Sequence, residues 1–248
     1  MNEILNFRKN FYSQNGEDGV LEYILNILFK NNVNLNKQCV EFGAWDGKFC
    51  SNVFHLIDKH KWFGVLIEMD KIKYQKLKKL EKKFNVKSLN KKIEITGKNS
   101  IDKILKKTEL KKDFDILSID IDSYDADVWQ SLKFYIPKIV VIETDNSIKP
   151  GKIVKGNLQN NGSSFSYVLD IALKKNYFLL CDIGNLIFIH KKFLDHFKIK
   201  KNFIDNPNLF YNNSWSEGKR ISTSLDLHLK LPLIYQIYLR YFKKFKKI

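Results

Sequence analysis

Two rhythms of apolar residues alternate along the chain. In GEDGVLEYILNILFKN, Val20, Leu21, Ile24, Leu25, Ile27 and Leu28 recur at helical spacing behind an acidic first turn, which predicts an amphipathic helix. CVEFGA follows as a continuous apolar run and predicts the first strand. SNVFHLIDKHK then reads as a helix, FGVLIEM as a second strand and KIKYQKLKKLEKKF as a Lys-rich helix with a solvated face. KKIEIT and NSIDKILKK supply a third strand and helix, FDILSID and ADVWQSLKF a fourth pair, and KIVVIET a fifth strand. Beyond the polar loop KPGKIVKGNLQNNGSS, SFSYVLDIALKKN predicts a helix. YFLLCD and NLIFIHK, separated only by Ile183 and Gly184, predict an antiparallel pair at the end of the sheet.

Strands continuous in Ile, Val and Leu, separated by helices, are what a parallel sheet covered on both faces requires. The expected fold is therefore α/β, with residues 1–36 as an N-terminal helical segment, 37–197 as the core and 198–248 as a basic C-terminal extension. In such open sheets ligands lie beyond the carboxyl ends of the strands. Those ends are where chemistry is to be sought.

Composition narrows the classes of partner. Hydrophobic residues make up 44% of the 248 positions, enough for a sizeable core. The formal charge of +16 invites an anionic partner, yet only Arg8, Arg220 and Arg240 are arginines, and the bidentate fork favoured by phosphate and base readers is nearly absent. Nucleic acid is therefore not an expected partner. Cys39, Cys50 and Cys181 are odd in number and lack metal-ligand spacing, which suits a reducing compartment. MNEILNFRKN lacks the apolar core of a leader, so a cytoplasmic location is expected.

The first strand end reads CVEFGAWDGKFCSN. Gly43 and Gly47 allow a tight turn and a close backbone approach, and Glu41 places a carboxylate just before it. The second strand ends in Glu68, about 20 residues after the glycine turn, where an acceptor for ribose hydroxyls belongs in a nucleoside-binding α/β fold. Asp70 is a close second; the plainer reading of Glu68 is a solvated carboxylate opening a helix, and its coincidence with the glycine loop favours function.

Together these stretches resemble the FkbM-like branch of class I S-adenosylmethionine-dependent methyltransferases of bacterial capsule and lipopolysaccharide gene clusters. The resemblance rests on YSQNGEDGVLEYIL, VEFGAWDG, LSIDID, IETDN and LxxxALKKNYFLL…NLIFI in that order, from about Tyr12 to Phe193. It implies a Rossmann-like, seven-stranded, mostly parallel sheet. It also implies S-adenosylmethionine held by Glu41, Gly43, Ala44, Asp46, Gly47, Asn52 and Glu68, and methylation of a sugar or nucleotide-sugar hydroxyl in surface polysaccharide synthesis. Gln14, Tyr124 and Asn146 fall on the acceptor side.

The fourth strand end, SIDIDSYDAD, gathers Asp120, Asp122, Asp125 and Asp127. An EF-hand is excluded because Tyr124 and Asp125 hold the fifth and sixth places, where glycine belongs at the sixth. A metal-dependent glycosyltransferase built on the DxD string remains a rival, although it leaves EFGAWDG unexplained. In the methyltransferase reading Asp120, Asp122 and Asp145 are catalytic, either as proton acceptors or, with Asn146, as ligands for Mg²⁺ or another divalent cation. Neighbouring strand tips about 4.8 Å apart permit such convergence. Asp122, Asp125 and Asp127 read equally well as charges on the first turn of the next helix. A third reading is a non-catalytic binding protein on the same fold.

None of His55, His60, His190, His196 and His228 has a partner at metal-binding spacing, so the histidines read as structural or exposed, with His190 a weak alternative base. Gln14 and Glu17 serve as helix caps or reach the acceptor. The closing LKLPLIYQIYLRYFKKFKKI mixes aromatics with cations and no acids. It suits either a terminal helix or peripheral contact with the inner face of an anionic membrane.

Overall fold

The computed structural model describes residues 3–121, 123–157 and 162–213. Asp122 and the C-terminal stretch from residue 214, including His228 and the basic terminal segment, lie outside the described residues. After a 3₁₀ turn at Glu3–Phe7 the order is α1 (Glu17–Lys30), β1 (Gln38–Phe42), α2 (Phe54–His60), β2 (Phe63–Glu68), α3 (Lys71–Lys78), β3 (Val86–Asn90) and α4 (Ile101–Leu105). There follow β4 (Ile116–Ile119), α5 (Asp125–Ser131), β5 (Ile139–Glu143), α6 (Phe165–Lys174), β6 (Tyr177–Asp182), β7 (Asn185–His190) and α7 (Lys201–Asp205).

The seven strands form one sheet in the order β3-β2-β1-β4-β5-β7-β6. All neighbours pair in parallel except β7, which runs antiparallel to both β5 and β6. This is the Rossmann-like, mostly parallel architecture expected. The central strands β1, β2, β4 and β5 are buried along nearly their whole length, so both faces are covered, and their aliphatic runs follow from that. Trp129 of α5 is fully buried between Tyr177 and Phe188, each ring about 5.3 Å away, which locks that helix to the β6/β7 hairpin.

One strand lies elsewhere than the pattern predicts. β3 is formed by Val86–Asn90, paired in register with Gly64 to Glu68, whereas KKIEIT contributes a single bridge between Glu94 and Ser100. The reason is the edge position. Only Ser88 of β3 is buried, so the strand carries no apolar signature, while the alternating isoleucines of KKIEIT imitate one.

The amino ends of the strands are fastened by one buried ion pair. Asp115, just before β4, accepts the backbone N–H groups of Asn36 and Gln38 and meets the Lys138 ammonium at 2.9 Å, with both side chains almost fully buried. Lys138 in turn precedes β5, so a single carboxylate sets the start of three adjacent strands. Lys138→Met should leave that carboxylate uncompensated and lower unfolding free energy by about 3–5 kcal/mol, read from the urea midpoint.

Candidate functional site

The strand order reverses between β1 and β4, since β2 and β3 are laid down on one side of β1 and β5 on the other. In open α/β sheets such a switch point is where a crevice lies outside the carboxyl ends of the strands and ligands bind. Here the backbones come close enough to demand glycine. Gly43 has φ +71°, and a Cβ at this position would lie 1.7 Å from the Asp120 carbonyl oxygen. The sequence suggests a turn that lets backbone pass close to a ligand; the close neighbour that the structure shows is the Asp120 backbone.

Glu41, the penultimate residue of β1, is buried. Its carboxylate accepts the Ser51 hydroxyl at 2.6 Å and the Asn52 backbone N–H at 2.8 Å, while the Asn52 amide reaches the Ser118 hydroxyl on β4. These bonds draw the end of the glycine loop back over the sheet and start α2. Burial pushes the Glu41 carboxyl up to about 7; the Ser51 and Asn52 bonds oppose this, and the charge of Asp120 adds to it.

Glu68 closes β2 and is also buried. One oxygen accepts the Trp45 N–H at 2.9 Å and the other the Asp70 N–H at 2.7 Å, so the carboxylate ties the glycine loop to the start of α3. Asp70 caps α3 by accepting from the N–H groups of Ile72 and Lys73. Each Glu68 oxygen retains a second lone-pair direction. The large apolar side chains of Met69 and Ile72 beside it are 64% and 77% exposed.

Other expected residues shape the loop. Asp46 accepts the backbone N–H groups of Lys48 and Phe49 in an Asx turn. Gly47 (φ +80°) faces Leu66, Leu77 and Leu80, so its lack of a side chain lets the loop pack on α3. Ala44 is buried and donates its N–H to the Ile67 carbonyl.

At the fourth strand end Asp125 accepts the N–H groups of Ile121 and Ser123 and so fixes the turn that carries Asp120. Tyr124 occupies the N-cap position of α5. Asp127 accepts the Tyr167 hydroxyl at 2.9 Å and meets the Lys155 ammonium at 3.1 Å, joining α5 to α6 and to the loop after β5. At the fifth strand end Asp145 accepts the Ser147 N–H and hydroxyl. Asn146 is buried with its amide donated to Asp182 and to the Asn212 carbonyl, and its side-chain oxygen accepting from Thr144. Thus Glu41, Gly43, Ala44, Asn52, Glu68 and Asp120 lie at or just beyond the carboxyl ends of β1, β2 and β4. Asp145 and Asn146 are held within their own turns and by the β6 end.

The opening segment folds back over α1. Asp18 accepts three backbone N–H groups, from Phe11, Tyr12 and Ser13, at 2.7 to 2.8 Å. Glu17, fully buried, accepts from Asn15 N–H and from the Asn185 amide at the start of β7. Neither acid caps its own helix; they organise the preceding loop. Gln14 sits in that loop and accepts the Asn10 amide on its backbone carbonyl.

His55 is buried and His60 half exposed, and a partner from another helix joins them. His55 and His60, five residues apart on α2, both direct Nε2 to one oxygen of Glu22 on α1, at 2.7 and 2.9 Å. Spacing hid this because five residues span about 500° of helix and put the two side chains on different faces; a third residue from another helix closes the group. Among the described residues this is the only trio of His, Cys, Asp or Glu whose ligand atoms converge.

No family model matches the chain, and no curated protein matches it. Solved structures of similar shape include a SAM-dependent methyltransferase from Aquifex aeolicus (13% identity, 67% of this chain and 88% of the other, TM-score 0.42). A TehB-like SAM-dependent methyltransferase from Corynebacterium glutamicum is 12% identical over 71% of this chain and 98% of the other (TM-score 0.40). An S-adenosylmethionine-dependent methyltransferase from Clostridium acetobutylicum is 6% identical over 67% and 88% (TM-score 0.42). The fold stands on the strand order and register of this chain. No helix among the described residues is long and apolar enough to cross a membrane.

The buried carboxyls give a signed pH dependence. Glu41 (4.5 raised to about 7) and Asp182 (3.8 raised to about 6) both hold protons in the folded state that the unfolded chain has released. Stability therefore falls as pH rises from 4.5 to about 7 through the Glu41 window, and the penalty is absent below it. Thermal melts across that range should show the decline, and Glu41→Gln should remove its part between about pH 6 and 7 while leaving the contribution of Asp182 below that.

Proposed function

We propose that the chain is an S-adenosylmethionine-dependent O-methyltransferase acting on a sugar or nucleotide-sugar hydroxyl. The observation that carries this reading is Glu68. A buried carboxylate at the second strand tip is aimed by two backbone N–H groups, beside a glycine loop at the topological switch point and next to exposed apolar side chains. That donor set suits a nucleoside. The two Glu68 carboxylate oxygens would accept ribose hydroxyls, and Met69 and Ile72 would offer apolar surface to a base.

When bound, S-adenosylmethionine supplies an electrophilic methyl group on a sulfonium. The chain's own residues position and deprotonate. Gly43 and Ala44 form the loop floor beside Asp120. Asp120, electrostatically coupled to Glu41 across the crevice, accepts the proton of the acceptor hydroxyl. A divalent ion shared between the fourth and fifth strand ends fits poorly, because the Asn146 side-chain oxygen already accepts the Thr144 hydroxyl and Asp145 accepts the N–H and hydroxyl of Ser147. The sugar acceptor and the setting of surface-polysaccharide synthesis rest on the resemblance of the ordered motifs.

S-Adenosylhomocysteine should bind in calorimetry at submillimolar concentration, and absence of heat there overturns the reading. Glu68→Gln should weaken that binding about 10- to 100-fold, the loss of charge-assisted hydrogen bonds. Asp120→Asn should bind the product normally yet transfer no methyl label in a screen of nucleotide-sugars. Retained activity would remove Asp120 from the chemistry, and incorporation of sugar without methyl would favour a glycosyltransferase.

A further inference from the structure

Glu22, His55 and His60 lie outside the crevice and take no part in the reading above. His55 is buried; its ring stacks on Phe11 at 3.9 Å and within 4° of parallel, so its Nε2 is held in direction. His60 meets it edge to face at 5.6 Å and is about half exposed, while Glu22 is 31% exposed. Two imidazole nitrogens and a carboxylate oxygen, all within 4.8 Å of one another, thus converge with one side open to water.

We propose that Glu22, His55 and His60 form a binding site for a late first-row divalent metal, zinc first among them, which staples α1 to α2. The donor chemistry selects the ion. Two imidazoles with one carboxylate suit zinc and its neighbours, whereas Mg²⁺ and Ca²⁺ prefer all-oxygen sets. Bonds of about 2.0–2.1 Å place tetrahedral ligand atoms about 3.3 Å apart. The present separations of 2.7 and 2.9 Å need open only slightly, and both less buried partners have room to move. Water supplies the fourth ligand on the exposed His60 side. Without metal the Glu22 carboxylate accepts from Nε2 of both imidazoles, so a bound metal would displace those protons, and neutral His55 would then carry its proton on the buried Nδ1, which has no hydrogen-bond partner. A cleft of about 510 Å³ has Glu22 in its wall, beside Phe7, Lys9, Tyr23, Ile27 and Lys30.

The test uses the full-length chain without an affinity tag, stripped of metal by dialysis. One equivalent of Zn²⁺ should bind in calorimetry and raise Tm, and His60→Ala and Glu22→Gln should each weaken binding at least about tenfold. Zinc affinity unchanged in both variants, or no binding by the unmutated chain, overturns the site. Co²⁺ offers a readout independent of variant folding. One equivalent should give the intense visible absorption of a four-coordinate ion with nitrogen and oxygen donors. Absence of that band overturns the proposal, as does a sulfur-to-cobalt charge-transfer band, which would assign the ion to the half-buried Cys50.

Discussion

The crevice depends on one steric fact, the approach of the β1 backbone to the β4 backbone at Gly43 and Asp120. The turn leaves β1 with a positive φ and passes so near the Asp120 carbonyl that any side chain there would overlap it. A chain that could not make this turn would not bring Glu41, Glu68 and Asp120 to a common place. The parallel register on either side, Phe42 opposite both Ile67 and Ile119, then aligns the three strand tips. Topology supplies the crevice, and the glycine allows its floor to close.

Within that frame the carboxylates mostly act as fasteners. Glu41, Glu68, Asp70, Asp115, Asp125 and Asp18 each accept two or more donors from within the chain, and most of those donors are backbone N–H groups of loops and helix starts. An ionised carboxylate is the strongest acceptor available for such orphan donors, and it favours the positive ends of helices. The acids of a strongly basic chain are thereby concentrated where loops must be held, while lysines cover the exposed surface. The excess of acids around SIDIDSYD divides accordingly: Asp125 and Asp127 hold the turn and the neighbouring helix, and Asp120 stands nearest the crevice.

The order of elements was legible because parallel strands buried on both faces write an unmistakable aliphatic signature, from VEF through LSI to NLIFI. β3 was not, because an edge strand with one buried side chain leaves almost no hydrophobic trace. At the site, Glu41, Gly43 and Glu68 could be located from strand ends and turn chemistry, which are local. The roles of Asp46, Asp145 and Asn146 could not, since whether such residues bind their own turn or a ligand depends on side-chain direction. The convergence of His55 and His60 on Glu22 was hidden for a related reason, needing the packing of α1 against α2.

That packing joins the two ends of α2 to different jobs. Its start is fixed by Glu41 through Ser51 and Asn52, the same bonds that hold the glycine loop. Further along, His55 meets Glu22 and stacks on Phe11, and Asp58 accepts the Tyr12 hydroxyl at 2.9 Å. Phe11 and Tyr12 belong to the segment gathered by Asp18, and the adjoining Glu17 reaches Asn185, whose β-partner is Glu143 at the tip of β5. One short helix therefore connects the loop beside β1 with the segment that leads to the far side of the crevice. The clamp between α1 and α2 lies on the same helix whose start is held by the bonds of the glycine loop. A metal seated there would stabilise the folded arrangement in proportion to its binding, because the three ligands come together only when α1 and α2 are docked.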